Sequence, residues 1–319
     1  MLLKRIYTSS SLTQLFAQIN EEVMFKGIAI RISGVAGSTP PAVGDVGRIQ
    51  YIKKGITMID CGFDSILSFN DLMSGAPNNE STASGVVDFF GYIPRRYLDD
   101  NVETVVPADN AQLKCTFTSN LASYIASGGL VEVYLDLDYG VQKYDLVMRQ
   151  YSDSVSGASN RPFAIDQPNI IFAGLSATVS SVLTLTGSNI SSITGSIGGQ
   201  SLDVSIGALM DNTSFQFNVE NLAGTVSLLP YTLMAALYTA SGDITSRLFD
   251  NLAVTVTTSG ASSPELLVVS ALFNKDRYEQ TVNKQRARVL DVTQSKAQKG
   301  DAQTIETLKK IANVSAVTS

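Results

Sequence analysis

Leu130-Val131-Glu132-Val133-Tyr134-Leu135-Asp136-Leu137-Asp138 alternates without a break. Val131, Val133, Leu135 and Leu137 share one side of an extended chain, and Glu132, Tyr134, Asp136 and Asp138 the other. Such a segment is a strand with a dry and a wet face, and shorter segments of the same kind surround it. Ile28-Ala29-Ile30-Arg31-Ile32 reads as a strand, as do Ile49-Gln50-Tyr51-Ile52 and Ile56-Thr57-Met58-Ile59 on either side of Lys53-Lys54-Gly55. Glycine-rich turns separate them, including residues 34–47 and 73–85, and short strands and turns continue to Ser152. Residues 152–169, with Pro162 and Pro168, read as a connector, and a second strand-rich region follows from Ile170 to about Thr258. The expected class is all-β.

The 319 residues contain no histidine and no tryptophan, and only 16% are charged against 44% hydrophobic. Without histidine, Ser-His-Asp and Cys-His catalysis are excluded, along with the side chain most used to hold transition metals at neutral pH. Neither a phosphate-binding glycine loop nor a paired-cysteine metal motif is present. Cys61 and Cys115 offer at most one disulfide and read as buried thiols. Glu132, Asp136 and Asp138 could hold a calcium ion, but alternate strand residues lie about 7 Å apart and need ligands from another loop. A solvated acidic face is the simpler reading. Asp99 and Asp100 beside Arg95 and Arg96 read as an intersubunit ion-pair set. The expectation is a non-enzymatic chain with no cofactor and no metal.

The net charge of −6 is unevenly spread. Residues 1–60 carry +3, 61–166 carry −8, 167–263 carry −4 and 264–319 carry +3. Basic ends around an acidic middle suit an oriented protein whose termini face an anionic surface, and equally suit ordinary solvated helices. Lys4 and Arg5 at one end, and Arg277, Lys284, Arg286, Arg288, Lys296 and Lys299 at the other, are the candidate lipid- or nucleic-acid-facing cations. Their charge would neutralise phosphate without reading sequence, and interleaved aromatics for strand stacking are missing. The N-terminal residues lack the apolar core of a secretion signal, which points to assembly in the cytoplasm.

Ser9-Ser10-Ser11 before Leu12, Leu15, Phe16 and Ile19 predicts an amphipathic helix over 10–24. Two long stretches, 167–202 and 221–242, hold no charged side chain. The second is about the length of a membrane span, but its Gly, Pro and Thr residues favour strands apolar on both faces, lying between two partners. Tyr231, Leu233, Ala235 and Leu237 are therefore candidate subunit-interface residues. Glu265 to Phe273 reads as a last strand or a linker. Residues 274–299 read as a polar, basic helix, followed by a final turn or two after Gly300.

Two successive β-rich regions, each suited to an eight-stranded jelly roll and flanked by helical ends, resemble the double jelly-roll major capsid proteins of tailless icosahedral viruses with an internal membrane. In particular, the chain is similar to the capsid protein of the Flavobacterium-infecting lipid-containing phage group. The resemblance implies a helical arm at 1–25, jelly rolls at 26–166 and 167–263, and a basic helical tail at 264–319. It implies upright homotrimers of pseudo-hexagonal outline, a lattice completed by penton and other capsid proteins, and terminal helices near the internal membrane. The place of action is then the virion, with assembly in the host cytoplasm.

Two other functions fit the composition. Leu183-Thr184-Leu185-Thr186-Gly187-Ser188-Asn189 is similar to a strand-turn sequence of TIG-type domains, which implies an adhesin of tandem immunoglobulin-like sandwiches. A phage tail or baseplate component shares the β-rich, low-charge character. An enzyme on a β scaffold would need two opposed carboxylates about 5–10 Å apart, and no pair in the sequence is placed so close.

Overall fold

The computed structural model describes residues 2–9, 14–19, 24–35, 41–53, 55–74, 80–83, 86–92, 111–118, 121–138, 144–179, 182–197, 200–217, 224–228 and 249–273. The first half runs β1 (Leu2–Ser9), β2 (Gln14–Ile19), β3 (Met24–Val35), β4 (Arg48–Lys53), β5 (Ile56–Gly62), α1 (Phe63–Ser74), β6 (Glu80–Ala83), β7 (Val86–Tyr92), β8 (Ala111–Thr116) and β9 (Ile125–Asp138). The second runs β10 (Tyr144–Ser152), β11 (Ser159–Val179), β12 (Val182–Leu183), β13 (Ile190–Ile197), β14 (Gln200–Ser205), α2 (Ile206–Phe217), β15 (Val226–Ser227), β16 (Phe249–Thr258) and β17 (Pro264–Phe273).

In the first half, β1-β9-β3-β7 make one wall, with β6 added at its edge, and β2-β8-β4-β5 make the other. The second half repeats the scheme. Strands β10 and β11 flank β17 as β1 and β3 flank β9, and β15 joins β11 as β7 joins β3. Strand β16 lies between β11 and β13 as β8 lies between β2 and β4, and β14 completes that wall as β5 does. One long strand, β11, does the work of both β2 and β3. Its residues 159–166 pair with β16 and its residues 170–177 pair with β17, across a bulge after Asp166. Each half is thus an eight-segment jelly roll, and the fold is an all-β double jelly roll.

The walls form because their residues alternate. On β3, Ile28, Ile30 and Ile32 are buried, as are Val131, Val133 and Leu135 on β9 opposite. Glu132 and Tyr134 lie on the other, partly open face, as the alternation predicts. The two rolls share a boundary: β5 runs parallel to β10, with Ile59 opposite Met148 and Asp60 opposite Arg149. Strand β17 is buried on both sides, Leu267 and Val269 in the first core and Leu266 and Val268 in the second. Residues 170–177 of β11 are likewise buried throughout, which is where that part of the charge-free stretch finds its two partners.

Five expectations need correction. Residues 14–19 are a strand and not part of a helix: Leu15 faces Cys115, Ala17 faces Leu113 and Ile19 faces Ala111 across β2 and β8. Alternating Leu15, Ala17 and Ile19 satisfy a strand as well as the helical spacing, and pairing with β8 decides between them. The arm 1–25 therefore holds β1 and β2, two strands of the first roll. The connector shrinks to 153–158, because 159–169 belong to β11. Pro162 is tolerated there because that stretch of β11 pairs only with β16, and Pro168 sits in the bulge, where a missing N–H costs no ladder bond. The bulge is held by Gln167, whose amide donates to the Tyr151 hydroxyl at 2.6 Å and accepts from Ser270 at 3.1 Å. Position 166 is thus inside a strand, and the repeat restarts at β10. Finally, 264–273 are not tail but β17, at the centre of the wall between the cores.

Candidate assembly surface

Each roll sends its hairpin straight into a helix: β4 and β5 into α1, β13 and β14 into α2, both helices 12 residues long. Their first residues, Phe63 and Ile206, are 143 positions apart. Sequence reading missed both helices. The signal was present as Phe63, Ile66, Leu67 and Asn70, and as Ile206, Leu209, Met210 and Thr213, each spaced i, i+3, i+4, i+7. Ser205 caps α2 by accepting from the Ala208 N–H at 3.3 Å.

Helix α1 is buried on nearly every side, with Phe63, Ser65, Ile66, Leu67, Phe69, Asn70 and Leu72 all buried. One of its faces meets the second roll. Phe69 packs on Phe172 of β11 with ring centroids 4.8 Å apart and planes tilted by 56°, and the Ser68 and Thr225 hydroxyls lie 2.6 Å apart. Gly174 makes room for this contact, because a Cβ there would stand 2.6 Å from both the Phe172 ring and the Thr225 methyl.

A polar joint runs beside the aromatic one. The Gly62 N–H donates to Gln150 Oε1 at 2.5 Å, and Gln150 Nε2 donates to Glu265 Oε2. Thr178 donates to Glu265 Oε1 at 2.5 Å. Burial raises the carboxyl of Glu265 above its ordinary range, against the pull of those two donors, with Asp64 pushing it further. Burial also raises Asp64, which accepts from the Ser65 N–H at 2.8 Å. On the outer side Arg48 donates to Asp60 at 2.6 Å, and that bond holds the guanidinium above its usual value. First-roll and second-roll groups are interlocked here, so the joint is built to fix two rolls in one orientation.

The candidates from sequence are placed as follows. Lys4 and Arg5 lie in β1, opposite Leu135 and Tyr134 of β9. Tyr231, Leu233, Ala235, Leu237, Arg277, Lys284, Arg286, Arg288, Lys296 and Lys299 lie outside the described residues, as do Arg95, Arg96, Asp99 and Asp100. Asp136 and Asp138 fall on β9 opposite Gly27 and Met24, and Glu132 opposite Arg31. Among the described residues no group of three His, Cys, Asp or Glu is placed to hold a metal ion. None of their helices is long and apolar enough to cross a membrane. Cys61 and Cys115 are free and buried on strands either side of Ile49, and burial pushes both thiols up.

No family model matches the sequence, and no curated protein does. Solved structures do match. The major capsid protein P2 from bacteriophage PM2 superposes with a TM-score of 0.55 at 10% identity, over 86% of this chain and 97% of that one. The STIV MCP gives 0.51 at 14% identity, over 87% and 98%. The atomic structure of Sulfolobus turreted icosahedral virus contains a chain that gives 0.54 at 14%, over 90% and 98%. At these identities the likeness carries the fold, and the fold is one found in viral major capsid proteins.

Proposed function

We propose that this chain is a major capsid protein, a structural unit that assembles with copies of itself into a virion shell. The observation that carries the reading is the tandem jelly roll itself: two rolls of one pairing scheme, locked by the Phe69–Phe172 contact and the Gln150–Glu265 joint. A rigid pair of similar blocks supports pseudo-symmetric packing, in which three chains present six rolls. The neighbouring capsid folds support the same reading.

The finer assignments follow from the charge map and the resemblance. The units are homotrimers tiling an icosahedral shell, completed by penton proteins and built in the host cytoplasm. The group is that of the Flavobacterium-infecting lipid-containing phages. The basic residues Lys4, Arg5, Arg277, Lys284, Arg286, Arg288, Lys296 and Lys299 turn toward an internal membrane, and Tyr231, Leu233, Ala235 and Leu237 meet a neighbouring subunit. Mass photometry tests the assembly claim: particles at three times 34.0 kDa support it, and a monomer at every concentration refutes it. Flotation with anionic liposomes, compared between the full chain and one with the basic residues replaced, tests the orientation.

A further inference from the structure

A direct hydrogen bond ties the end of β5 to the second roll at the polar joint, and an acid stands on either side of it. The Gly62 N–H donates to Gln150 Oε1 at 2.5 Å, which turns Gln150 Nε2 toward Glu265. Asp64 comes up from the first roll. Its Oδ1 and Gln150 Oε1 both lie over the Cα of Gly62, where a Cβ would collide with the Asp64 carboxyl and stand 3.2 Å from the amide oxygen. Glycine at 62 therefore lets a first-roll carboxyl approach a glutamine that is itself bonded to a second-roll carboxyl.

The bonding around Glu265 accommodates a proton. Its Oε2 accepts from Gln150, whose orientation Gly62 fixes. Its Oε1 faces the Thr178 hydroxyl at 2.5 Å, a group that donates to a carboxylate and accepts from a carboxylic acid. A proton can thus enter or leave Oε1 with no other bond broken, and Asp64, only partly buried, gives water access to the pair. The surrounding charge does little to offset two carboxylates. Arg48 favours the ionised Glu265 but donates to Asp60 at 2.6 Å, and burial keeps the Cys61 thiol neutral. Arg149 lies opposite Asp60 on β10, Asp71 is seven residues further along α1, and residues 170–179 of β11 and the rest of β17 carry no charged side chain. With both acids ionised, their repulsion falls on the Gly62–Gln150 bond between them, a bond that water can replace.

We propose that Asp64 and Glu265 form a proton-operated latch between the two rolls: Gln150 stays on Gly62 while the pair keeps one proton, and is released when both carboxyls ionise. The latch belongs to the single chain, so it holds or fails independently of self-assembly. Burial raises both carboxyls, so the closed joint is favoured in acid and is lost as pH rises through their folded values. The Phe69–Phe172 contact carries no titrating group and remains; what opens is the polar edge of the boundary.

The Gly62 amide reads the latch directly. Hydrogen exchange of the full-length chain is followed with a chelator present, so that no divalent cation substitutes for the proton. Corrected for the intrinsic effect of pH, protection at Gly62 should fall about tenfold or more from pH 5 to pH 8, the change that one unit of pKa difference yields. The amides of β16, remote from the joint, should change less. Glu265→Gln and Asp64→Asn each keep an acceptor oxygen and remove a charge, so each should hold Gly62 at pH 8 at its pH 5 protection. Infrared spectra of the parent should contain a buried carboxylic-acid band at pH 5 that is lost by pH 8. Protection at Gly62 that ignores pH, a fall that β16 or both variants share equally, or the absence of that band at pH 5 each overturns the latch, and the last needs no variant to fold.

Discussion

Phe69 and Phe172 sit 4.8 Å apart, the first on the helix that follows the first roll's hairpin and the second on the long strand that opens the second roll. The contact makes one rigid body of two rolls, because Phe172 is fully buried within the first roll's core while its strand neighbour Ala173 is buried in the second. Replacing a buried phenylalanine by alanine in such a place costs about 3–5 kcal/mol. Phe172→Ala should lower the unfolding free energy by that amount, read from a lower denaturant midpoint, while both rolls lose structure together. A variant with wild-type stability would show that the rolls do not depend on this joint.

The buried carboxyls beside that contact set a pH dependence. Burial raises Asp64 in the folded chain, so between the ordinary carboxylate range of about 4 and its folded value the native state holds more protons than the unfolded one. Its contribution is therefore present in acid and lost as pH rises. Asp64→Asn keeps the acceptor for the Ser65 N–H and removes the charge. Melting temperatures at pH 5 and pH 7 should differ less in the variant than in the parent, with the gain at pH 7. An unchanged difference would refute the assignment.

Truncation separates the tail from the wall. A chain ending at Phe273 keeps every described strand and should fold, with assembly impaired by loss of the basic residues beyond. A chain ending at 263 loses β17, which both cores share, and should not fold cooperatively. Circular dichroism melting distinguishes the two; a well-folded 1–263 chain would contradict the shared wall.

Cys61 and Cys115 are buried and their thiols are raised by that burial, so little thiolate forms near neutral pH. A thiol-specific reagent should label neither in the native protein and both after denaturation. Rapid native labelling would mean that the first core opens.

The walls were legible where one face is dry, as in Val131, Val133 and Leu135, because alternation over several residues has one physical meaning. Residues 14–19 misled because a short apolar set can fit both periods, and only the presence of β8 selects the strand. The 264–273 segment was readable as a strand but not as a central one: apolar residues on both faces reveal burial without naming the partners. The repeat itself left no trace in residue identity. Helix α2, with its exposed Phe215, went unread although the helical spacing was there.

Negative-stain electron microscopy of the purified protein at neutral pH tests the central claim most directly. Trimers with six similar lobes around a pseudo-hexagonal outline are the predicted result, each chain contributing two rolls. Monomers, or elongated rods of stacked sandwiches, would contradict it.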